Sequence, residues 1–549
     1  MFSLIKKTSR FVFSAQHDIL SSALTLSAMF AISRLFGILR YRTFATYFTR
    51  AELDIFFAAF RIPDFVFDVV ISGALSAAFI PIYIKYSSKE SRLSESISTL
   101  INCIMGLLFI FVLIMVVFAR PINALILPGY KNDLATFNQI VWFSQILIIT
   151  QLPLLVMGSL LSGIAQANKF FLATTASPLF YNLTIILSTI LLAPKFGLLA
   201  PLIGVSVGAL LYTALQIPIL FKTDFHYKIA LEIPIIKEFT HLFVPRVLAV
   251  ITSQIDITMD LFLATLLEKG SFTIFLFAQN LQMVPVSLVG LAFGQASLPY
   301  LSEMFNKKNL SEAKKLVTTS LLQLLFLSVP LSMMLIFAQT PIVRIVFGGK
   351  KFDWLGTNYT ADTLMYFAFA IPFHTIFYFL TRAFYSMHDT KTPLFINLLS
   401  VGINVSLSAY AILIAKQPVW ALSRAFAVAI IINVVLLIIL LYKKLGDVKN
   451  DKFTSSHLIM QTCKIYLASI LSAPLPYALM KLVDPLLIDT TKTLNVLFLL
   501  IITLGSYSCI YLFLSWSMGL EQIYLVGGII TRFKSASKKV GELFVDLGE

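Results

Sequence analysis

Charged side chains are scarce in this chain: Asp, Glu, Lys and Arg together make up 13% of its 549 residues. Soluble domains carry about 25% charged and about 45–50% apolar residues, whereas 58% of this sequence is hydrophobic. A soluble fold cannot bury that much apolar surface. The apolar runs are separated by short charged loops, which leaves no room for a separate soluble domain. The composition therefore excludes a soluble globular protein.

Cysteine and histidine are also few and poorly placed for chemistry. Cys103, Cys463 and Cys509 lie far apart in apolar runs, which excludes a disulfide framework and a CxxC-type metal site. The six histidines show no HExxH spacing, and the sequence contains no phosphate-binding Walker loop and no GxSxG motif. We therefore expect no metal, no cofactor and no enzymatic activity.

Long apolar runs dominate what is present. Each bilayer crossing needs about 20 apolar residues, and runs bounded by charge, Gly and Pro predict an all-α integral membrane protein of about fourteen transmembrane helices. The predicted helices span 19–42, 54–84, 96–119, 134–165, 171–193, 197–221, 236–266, 271–302, 316–345, 360–387, 393–415, 419–442, 458–482 and 494–518.

The net charge is +15, and the distribution of the basic residues predicts the orientation of the chain in the membrane. Basic residues concentrate in alternate loops and in the C-terminal tail, and the positive-inside rule places those loops in the cytoplasm. Both termini are then cytoplasmic, which an even number of crossings allows, and we predict a multi-pass protein of the cytoplasmic (inner) membrane. The charge has no accompanying aromatic-basic stripe, so we expect no nucleic-acid partner.

Three short motifs recur in the same order, separated by about 215 to 220 residues. SAAFIPIY at 76–83 matches GQASLPYL at 294–301, VFARPI at 117–122 matches IFAQTPI at 336–342, and SPLFYN at 177–182 matches TPLFIN at 392–397. We interpret the matches as a duplication of six helices. Because six is even, both copies enter the membrane in the same orientation and form two parallel bundles with a cavity between them.

The duplication divides the chain into four predicted regions. These are an N-lobe at 1–225 with helices one to six, a C-lobe at 226–445 with helices seven to twelve, helices thirteen and fourteen at 446–525, and a basic cytoplasmic tail at 526–549. In the third motif, Ser177 and Thr392 each precede a proline, a pattern typical of an N-cap followed by the first helical residue.

Charges inside the predicted helices mark the candidate site, because a charge at the centre of a membrane helix costs about 2.5–3.5 kcal/mol on insertion scales. Arg34 and Arg40 lie in helix one without a carboxylate on their own helix. Asp54, Arg61 and Asp68 in helix two are seven residues apart and share one helical stripe. Two interpretations remain open: Arg61 pairs with Asp54 or Asp68 in a neutral structural network, or the arginines bind an anionic group in the cavity, since guanidinium engages two phosphate oxygens at once.

Two further groups of charges are candidates. Helix seven contains Arg246 and then Asp256 and Asp260, which lie one turn apart and would repel unless protonated, paired or bridged by a cation. These aspartates are therefore candidates for coupling to a proton or a monovalent cation. Arg382 and Asp389 flank a predicted cytoplasmic turn, where they act either as loop and capping residues or as a cytoplasmic gate.

Three stretches resemble one known family. They are SRLFGILR at 33–40, LDIFFAAFRIPDFVFDVVISGALSAAFIPIY at 53–83, and RAFYSMHDTKTP at 382–393. Together they resemble the MurJ/MviN lipid II flippases of the MOP exporter superfamily, and the resemblance extends to the two six-helix lobes and the two additional C-terminal helices.

The resemblance implies a function and assigns roles to residues. It implies that the chain moves lipid II, the undecaprenyl-pyrophosphate-linked peptidoglycan precursor, from the inner to the outer leaflet by alternating access, with membrane lipids and other cell-wall synthesis proteins as further partners. Arg34 and Arg40 match the cavity arginines of the family, and Asp54 and Arg61 match its helix-two positions. Helices thirteen and fourteen match a groove for the polyprenyl tail.

The sequence departs from the family pattern at three positions. Phe67 and Asn280 stand where well-studied members have arginine, and Tyr41 replaces an acidic residue. The predicted cavity is therefore less basic than the family pattern, and we suggest that Arg246 compensates. Two other functions remain as alternatives. The first is a related exporter of another lipid-linked oligosaccharide or of a drug, although a drug exporter should prefer acidic cavity residues. The second is a polyprenyl-phosphate glycosyltransferase, which needs a loop carboxylate pair that the sequence lacks.

Overall fold

The computed structural model describes residues 19–74, 79–87, 90–168, 170–223, 225–307, 309–446, 455–486, 493–525 and 527. Within these ranges the chain forms helices and no strand, which confirms the all-α prediction. The basic residues that precede helix one and the basic tail from residue 528 onward lie outside the described residues.

The first half of the chain forms ten helices among the described residues. They are α1 (Ile19–Tyr47), α2 (Arg50–Ala74), α3 (Ile80–Ser87), α4 (Glu90–Val117), α5 (Ala119–Ile126), α6 (Leu134–Ala167), α7 (Phe171–Phe196), α8 (Leu199–Ala214), α9 (Ile217–Leu220) and α10 (Ile233–Thr265). A 3₁₀ turn at Pro128–Tyr130 connects α5 to α6.

Ten more helices follow in the described part of the second half. They are α11 (Ser271–Pro285), α12 (Ala292–Asn306), α13 (Leu310–Phe337), α14 (Gln339–Phe347), α15 (Trp354–Ser386), α16 (Lys391–Ala409), α17 (Trp420–Leu445), α18 (Ser455–Ser472), α19 (Pro474–Leu486) and α20 (Thr493–Ser517). A π-helical turn at Val286–Leu291 joins α11 to α12, and a second at Tyr410–Ile414 extends α16.

Eleven helical segments in the described ranges are long and apolar enough to cross a membrane. The segments in the regions of α1, α2 and α10 are not among them, and α2 and α10 contain the charged residues that the sequence singled out. The membrane-spanning fold is confirmed, whereas the number of fourteen crossings stays a prediction.

The described residues divide into two compact units. The N-terminal unit comprises Met1–Thr273 with Val346–Asp353, and the C-terminal unit comprises Ile274–Ile345 with Trp354–Glu549. Helix α10 therefore groups with the first six predicted helices, although the duplication assigns it to the second repeat. The lobe boundary at 225/226 concerns the repeat itself and stays a prediction.

One pair of repeated motifs has the same local structure in both copies. VFARPI spans the end of α4 at Val117 and the start of α5, and IFAQTPI spans the end of α13 at Phe337 and the start of α14. In each copy a long helix stops and a short helix begins two residues later. This correspondence supports the duplication.

The predicted N-caps in the third motif are wrong. Ser177 lies in the seventh position of α7, is buried, and its hydroxyl accepts a hydrogen bond from Gln216 at 2.6 Å. Thr392 lies in the first turn of α16, and its backbone N–H donates to Asp389 at 3.0 Å. The first helix starts earlier than the motif indicates, and in the second a carboxylate provides the cap.

An extended segment at 225–232 leads from the sixth predicted helix into α10. Its backbone N–H groups at His226, Lys228 and Glu232 donate to hydroxyls of Ser94, Ser98 and Thr99 on α4, at 2.9–3.2 Å. Ser94 and Ser98 lie one helical turn apart, and Thr99 follows Ser98 directly. Their hydroxyls satisfy backbone donors that would otherwise lack partners. The segment therefore runs along α4 and fixes where α10 begins.

Helices α7 and α8 approach closely at Gly204. A Cβ at this position would lie 1.9 Å from the Ser188 hydroxyl and 2.8 Å from the Cα of Ile185. The second contact involves backbone, which cannot move away as a side-chain rotamer can. The packing of this helix pair therefore requires glycine at residue 204.

We predict that Gly204→Ala lowers the free energy of unfolding by about 1–3 kcal/mol, because the added methyl group overpacks the α7–α8 contact. Thermal unfolding of the purified protein in detergent measures the change. Gly402→Ala is the matched control, since a Cβ there meets nothing within 4 Å. Equal melting temperatures for the two variants would contradict the proposed close contact.

Candidate functional site

Asp54 on α2 lies at the centre of a buried hydrogen-bond cluster. Its carboxylate accepts hydrogen bonds from the backbone N–H of Gly270 at 2.6 Å, from the N–H and hydroxyl of Thr273 at 2.7 and 2.6 Å, and from the hydroxyl of Tyr130 at 3.1 Å. The side chain is 2% exposed. Four donors thus replace the water that the carboxylate loses, and together these residues form what we call the Asp54 clamp.

Gly270 is required at its position in the clamp. Its φ of +97° is in the left-handed region that favours glycine, and a Cβ would lie 2.4 Å from the side chain of Arg50. The Arg50 guanidinium in turn forms ion pairs with Glu268 at 3.2 Å and Asp353 at 3.6 Å. The loop after α10 is therefore held to the start of α2 by both neutral and charged contacts.

A further ion pair lies beside the clamp, outside the helices. Lys269 donates to Asp133 at 2.5 Å, and Asp133 also caps α6 by accepting from the N–H and hydroxyl of Thr136. The hydrogen bond from Lys269 and those from Thr136 hold the pKa of Asp133 well below its usual range. Asp133 is therefore ionised at neutral pH.

Arg61, two helical turns after Asp54, contacts α10. It donates to the carbonyl and the side-chain oxygen of Gln254 at 2.9 and 2.7 Å, and to the hydroxyl of Thr258 at 2.7 Å. The Gln254 amide nitrogen donates to Asp68 at 2.8 Å. Gln254 therefore bridges Arg61 and Asp68, and we call this group of four residues the α2–α10 seam.

The contacts of the seam show whether Arg61 forms an ion pair with Asp54 or Asp68. Among the described residues no carboxylate lies within ion-pair distance of Arg61, so direct pairing with Asp54 or Asp68 does not occur. Arg61 is 8% exposed, and its guanidinium donates to α10. The predicted stripe of Asp54, Arg61 and Asp68 exists, because α2 continues through Pro63 and all three residues contact α10 or the residues just after it.

The two arginines of α1 differ in their surroundings. Arg34 is exposed, and Arg40 is half-buried with its guanidinium carbon 4.9 Å from the centroid of the Tyr41 ring. Their separation of six residues places them about 120° apart around the helix. The Nε of Arg40 is buried without a hydrogen-bond partner among the described residues. Asp64, exposed on α2, interacts electrostatically with Arg40 and Arg61.

The predicted residues of helix seven lie on α10. Asp260 is buried and Asp256 is half-buried, one turn apart as the sequence requires, and each makes polar or electrostatic contacts of its own. Arg246 belongs to the same helix, and its side chain lies outside the described residues. Within the described ranges no group of three or more His, Cys, Asp or Glu side chains could hold a metal ion.

Arg382 and Asp389 do not contact each other in the described part of the structure. Asp389 accepts from the N–H of Thr392 at 3.0 Å and from its hydroxyl at 2.6 Å, and forms an ion pair with Lys444. Arg382 lies 5.8 Å from the ring of Tyr385. Asp389 therefore caps α16 from the preceding loop, whereas Arg382 lies inside α15, one turn before its end.

Several residues of the cluster could not be identified from their own sequence context. Gln254, Thr258 and Thr273 are neutral, and Gly270 carries no side chain, so none stands out by charge. The polar side chains of Gln254, Thr258 and Thr273 within otherwise apolar runs are the feature by which the sequence could have indicated them. Two of the three departures from the family pattern, Phe67 and Asn280, are half-buried. Phe67 packs on the apolar core, and Asn280 donates to the carbonyl of Leu276 at 2.8 Å.

Sequence comparison matches the chain to a family model described as "Lipid II flippase MurJ" over residues 44–505. A probable lipid II flippase MurJ of Rickettsia prowazekii is 26% identical over 396 residues, covering 70% of this chain and 77% of that protein. Its counterpart in Aquifex aeolicus is 28% identical over 434 residues, covering 77% of this chain and 83% of that protein.

Two solved structures have a fold similar to that of this chain. A lipid II flippase MurJ in an inward closed conformation matches with a TM-score of 0.74 and 24% identity, covering 90% of this chain and 99% of that one. An inward-facing multidrug resistance MATE transporter of the MOP superfamily matches with a TM-score of 0.62 and 10% identity, covering 80% and 99%. Both likenesses concern the fold.

We predict that Asp54→Asn lowers the free energy of unfolding by about 2–3 kcal/mol, because an amide NH₂ would face donors that the carboxylate now satisfies. Thermal unfolding in detergent measures the loss. Asp64→Asn serves as the control, since Asp64 is exposed on the same helix. A melting temperature for Asp54→Asn equal to that of the control would argue against the clamp.

A second prediction concerns the pH dependence of Asp389. Burial acts against its ionised form, but the hydrogen bonds from Lys444 and Thr392 prevail and lower the pKa of Asp389 to about 2. Because the folded-state pKa lies below the unfolded value of about 3.9, this carboxylate stabilises the fold above that value, and the stabilisation is lost as pH falls toward about 2.

The difference in melting temperature between the unsubstituted protein and Asp389→Asn, measured from neutral to acidic pH, isolates this effect because other acids titrate in both. We expect the difference to be largest at neutral pH and to shrink as the solution becomes more acidic than about pH 4. A difference independent of pH would show that the charge of Asp389 contributes nothing.

Proposed function

This chain belongs to the lipid II flippase MurJ family, and we propose that it moves lipid II from the cytoplasmic to the outer leaflet of the inner membrane by alternating access of two lobes. The family is one of transporters, which agrees with the expectation that the chain is no enzyme. The lobes of this proposal are those of the duplication, 1–225 and 226–445. Both termini face the cytoplasm in the proposed orientation.

The observation that carries the proposed mechanism is the state of the α1 arginines. Within the described ranges, Arg34 and Arg40 have no carboxylate within ion-pair distance, and the Nε of Arg40 lacks any hydrogen-bond partner. A guanidinium keeps its charge at every relevant pH and binds phosphate oxygens through two parallel N–H donors. We propose that these arginines bind the pyrophosphate of lipid II.

Asp54 and Arg61 have a different role in this proposal. The contacts of Asp54 already satisfy its carboxylate, and those of Arg61 occupy its donors with Gln254 and Thr258. We propose that the clamp and the seam set the position of α10 relative to α2 during the transport cycle. Both residues then support substrate binding through the helices they hold rather than through contact with lipid II.

The remaining residues complete the proposal. Arg246 supplements the basic character that Phe67 and Asn280 remove, Asp256 and Asp260 couple transport to a proton or monovalent cation, and Arg382 with Asp389 forms the cytoplasmic turn that moves with the gate. Helices α18 to α20 receive the polyprenyl tail. Other cell-wall synthesis proteins are proposed partners.

The alternatives receive less support. The fold likeness to MATE transporters concerns architecture and says nothing about cargo. A drug exporter should present acidic groups to a cationic substrate, whereas α1 presents arginines. A glycosyltransferase needs a pair of loop carboxylates poised for catalysis. Among the described loop carboxylates, Asp133, Glu268, Asp353 and Asp389 are engaged in ion pairs, and Glu232 accepts a hydrogen bond from Ser96.

We predict that Arg40→Ala reduces flipping by about tenfold or more, since about 1.4 kcal/mol of lost interaction corresponds to tenfold. Cells depleted of the native protein and complemented by the variant should accumulate lipid II that an externally added degrading enzyme cannot reach. Arg120→Ala is the matched control, because Arg120 is an exposed arginine whose guanidinium lies near Phe137, outside the cluster. Melting temperatures of the purified variants exclude unfolding as the cause.

The same assay tests the other arginines. We expect Arg34→Ala and Arg246→Ala each to impair flipping. Full activity in Arg246→Ala combined with a loss in Arg34→Ala would refute compensation by Arg246. No accumulation of lipid II on depletion of the protein itself would refute the flippase function in this cell.

A further inference from the structure

A cavity of about 440 Å³ lies within the C-terminal unit, and none of its lining residues belongs to the clamp or the seam. Residues from the end of α13, from α14, from the start of α15, and from α19 and α20 line it. The proposed transport cycle assigns α18 to α20 to the polyprenyl tail of lipid II, but it gives no role to the two cations that line this cavity. Its position at the ends of these helices, next to the loop that precedes α15, places it at the depth of lipid headgroups, on the outer side in the orientation proposed above.

The lining carries positive charge without compensation. Arg344 and Lys481 both line the cavity, and no Asp or Glu is among the lining residues. Across the described residues neither cation has a carboxylate within ion-pair distance. Two cations that face one cavity repel each other unless an anion lies between them.

Aromatic rings hold both cations in place. The guanidinium carbon of Arg344 lies 5.9 Å from the centroid of the Trp354 ring, and the Lys481 ammonium lies 5.8 Å from that of Tyr477. These contacts leave the N–H donors free to bind a ligand, because a ring face accepts the charge without occupying the donors in ordinary hydrogen bonds. Asn358 adds a neutral polar group to the same lining.

The rest of the lining is apolar. Met480 and Leu499 form part of the wall on α19 and α20, and Trp354 is exposed beside it. Exposed Trp and Tyr are typical of membrane proteins at the level of the headgroups. A ligand that satisfies both the cations and the apolar wall has an anionic head and a hydrocarbon chain.

We propose that this cavity binds the phosphate ester of a membrane lipid, with the phosphate between Arg344 and Lys481 and the first part of the chain against Met480 and Leu499. Two sources share this chemistry: an anionic glycerophospholipid and a polyprenyl phosphate. Binding here is independent of the α1 arginines. Its test therefore uses lipid retention, which can fail while flipping remains intact.

The experiment measures lipids retained by the purified full-length protein, by native mass spectrometry after incubation with phosphatidylglycerol, undecaprenyl phosphate, diacylglycerol or inorganic phosphate. We expect phosphatidylglycerol or undecaprenyl phosphate to be retained, and whichever is retained identifies the source. In the double variant Arg344→Gln/Lys481→Gln we expect retention to fall about tenfold, because two charge-assisted contacts are lost.

Two controls keep the outcome clear. Lys416→Gln removes an exposed lysine of the same unit that does not line the cavity and should retain lipid like the unsubstituted protein. Lys481→Gln alone, at an exposed position, should fold normally and still lose part of the binding. The proposal would be overturned if the double variant retained as much lipid as the unsubstituted protein, or if Lys416→Gln lost as much lipid as the double variant. It would also be overturned if diacylglycerol were retained as well as the anionic lipids, or if only inorganic phosphate bound.

Discussion

A buried charge is stable only where protein groups replace water, and Asp54 meets this condition with donors from two other parts of the chain. The carboxylate on α2 accepts from the turn after α5 through Tyr130 and from the residues that start α11 through Gly270 and Thr273. Its position therefore fixes where α10 ends and α11 begins. Because Arg61 and Asp68 lie on the same stripe of α2, the clamp also sets the register in which they reach α10.

The seam holds α2 to α10, whereas the clamp holds α2 to the residues that follow α10, and the two use different groups. Two of the four donors to Asp54 are backbone N–H groups, whose positions are set by the chain at Gly270 and Thr273. Arg61 and Asp68 bind mainly side-chain atoms of Gln254 and Thr258, which can rotate away while both helices remain intact. In the seam both sides of most contacts can therefore change rotamer, whereas in the clamp the two backbone donors cannot. This difference suits a helix that pivots about its end at residue 265.

The sequence predicted the positions of the charges better than it predicted their partners. Residues spaced by seven on α2 had to share a face, so Asp54, Arg61 and Asp68 were correctly placed on one stripe. Apart from Tyr130, which is 76 residues from Asp54, their partners lie about 190 to 220 residues away. All of these partners are neutral or backbone groups, which no charge pattern reveals. Ser177 shows the same limit: its Ser-Pro pattern fits an N-cap, but Phe171–Ala176 extend α7 before it, and its hydroxyl contacts Gln216 instead.

Unlike Asp54, Arg40 is not supplied among the described residues with protein groups that replace all of the lost water. Its Nε is buried without a partner in the described structure, although a buried donor that finds no acceptor costs about 1–3 kcal/mol. Arg61 shows that neighbouring helices can supply neutral acceptors to a guanidinium when the fold requires it. No such acceptor is supplied to the Nε of Arg40 in the described structure. The two positions where well-studied members of the family have arginine are occupied here by the uncharged residues Phe67 and Asn280. An anionic group that reaches the Nε of Arg40 would supply the missing acceptor and so remove this cost.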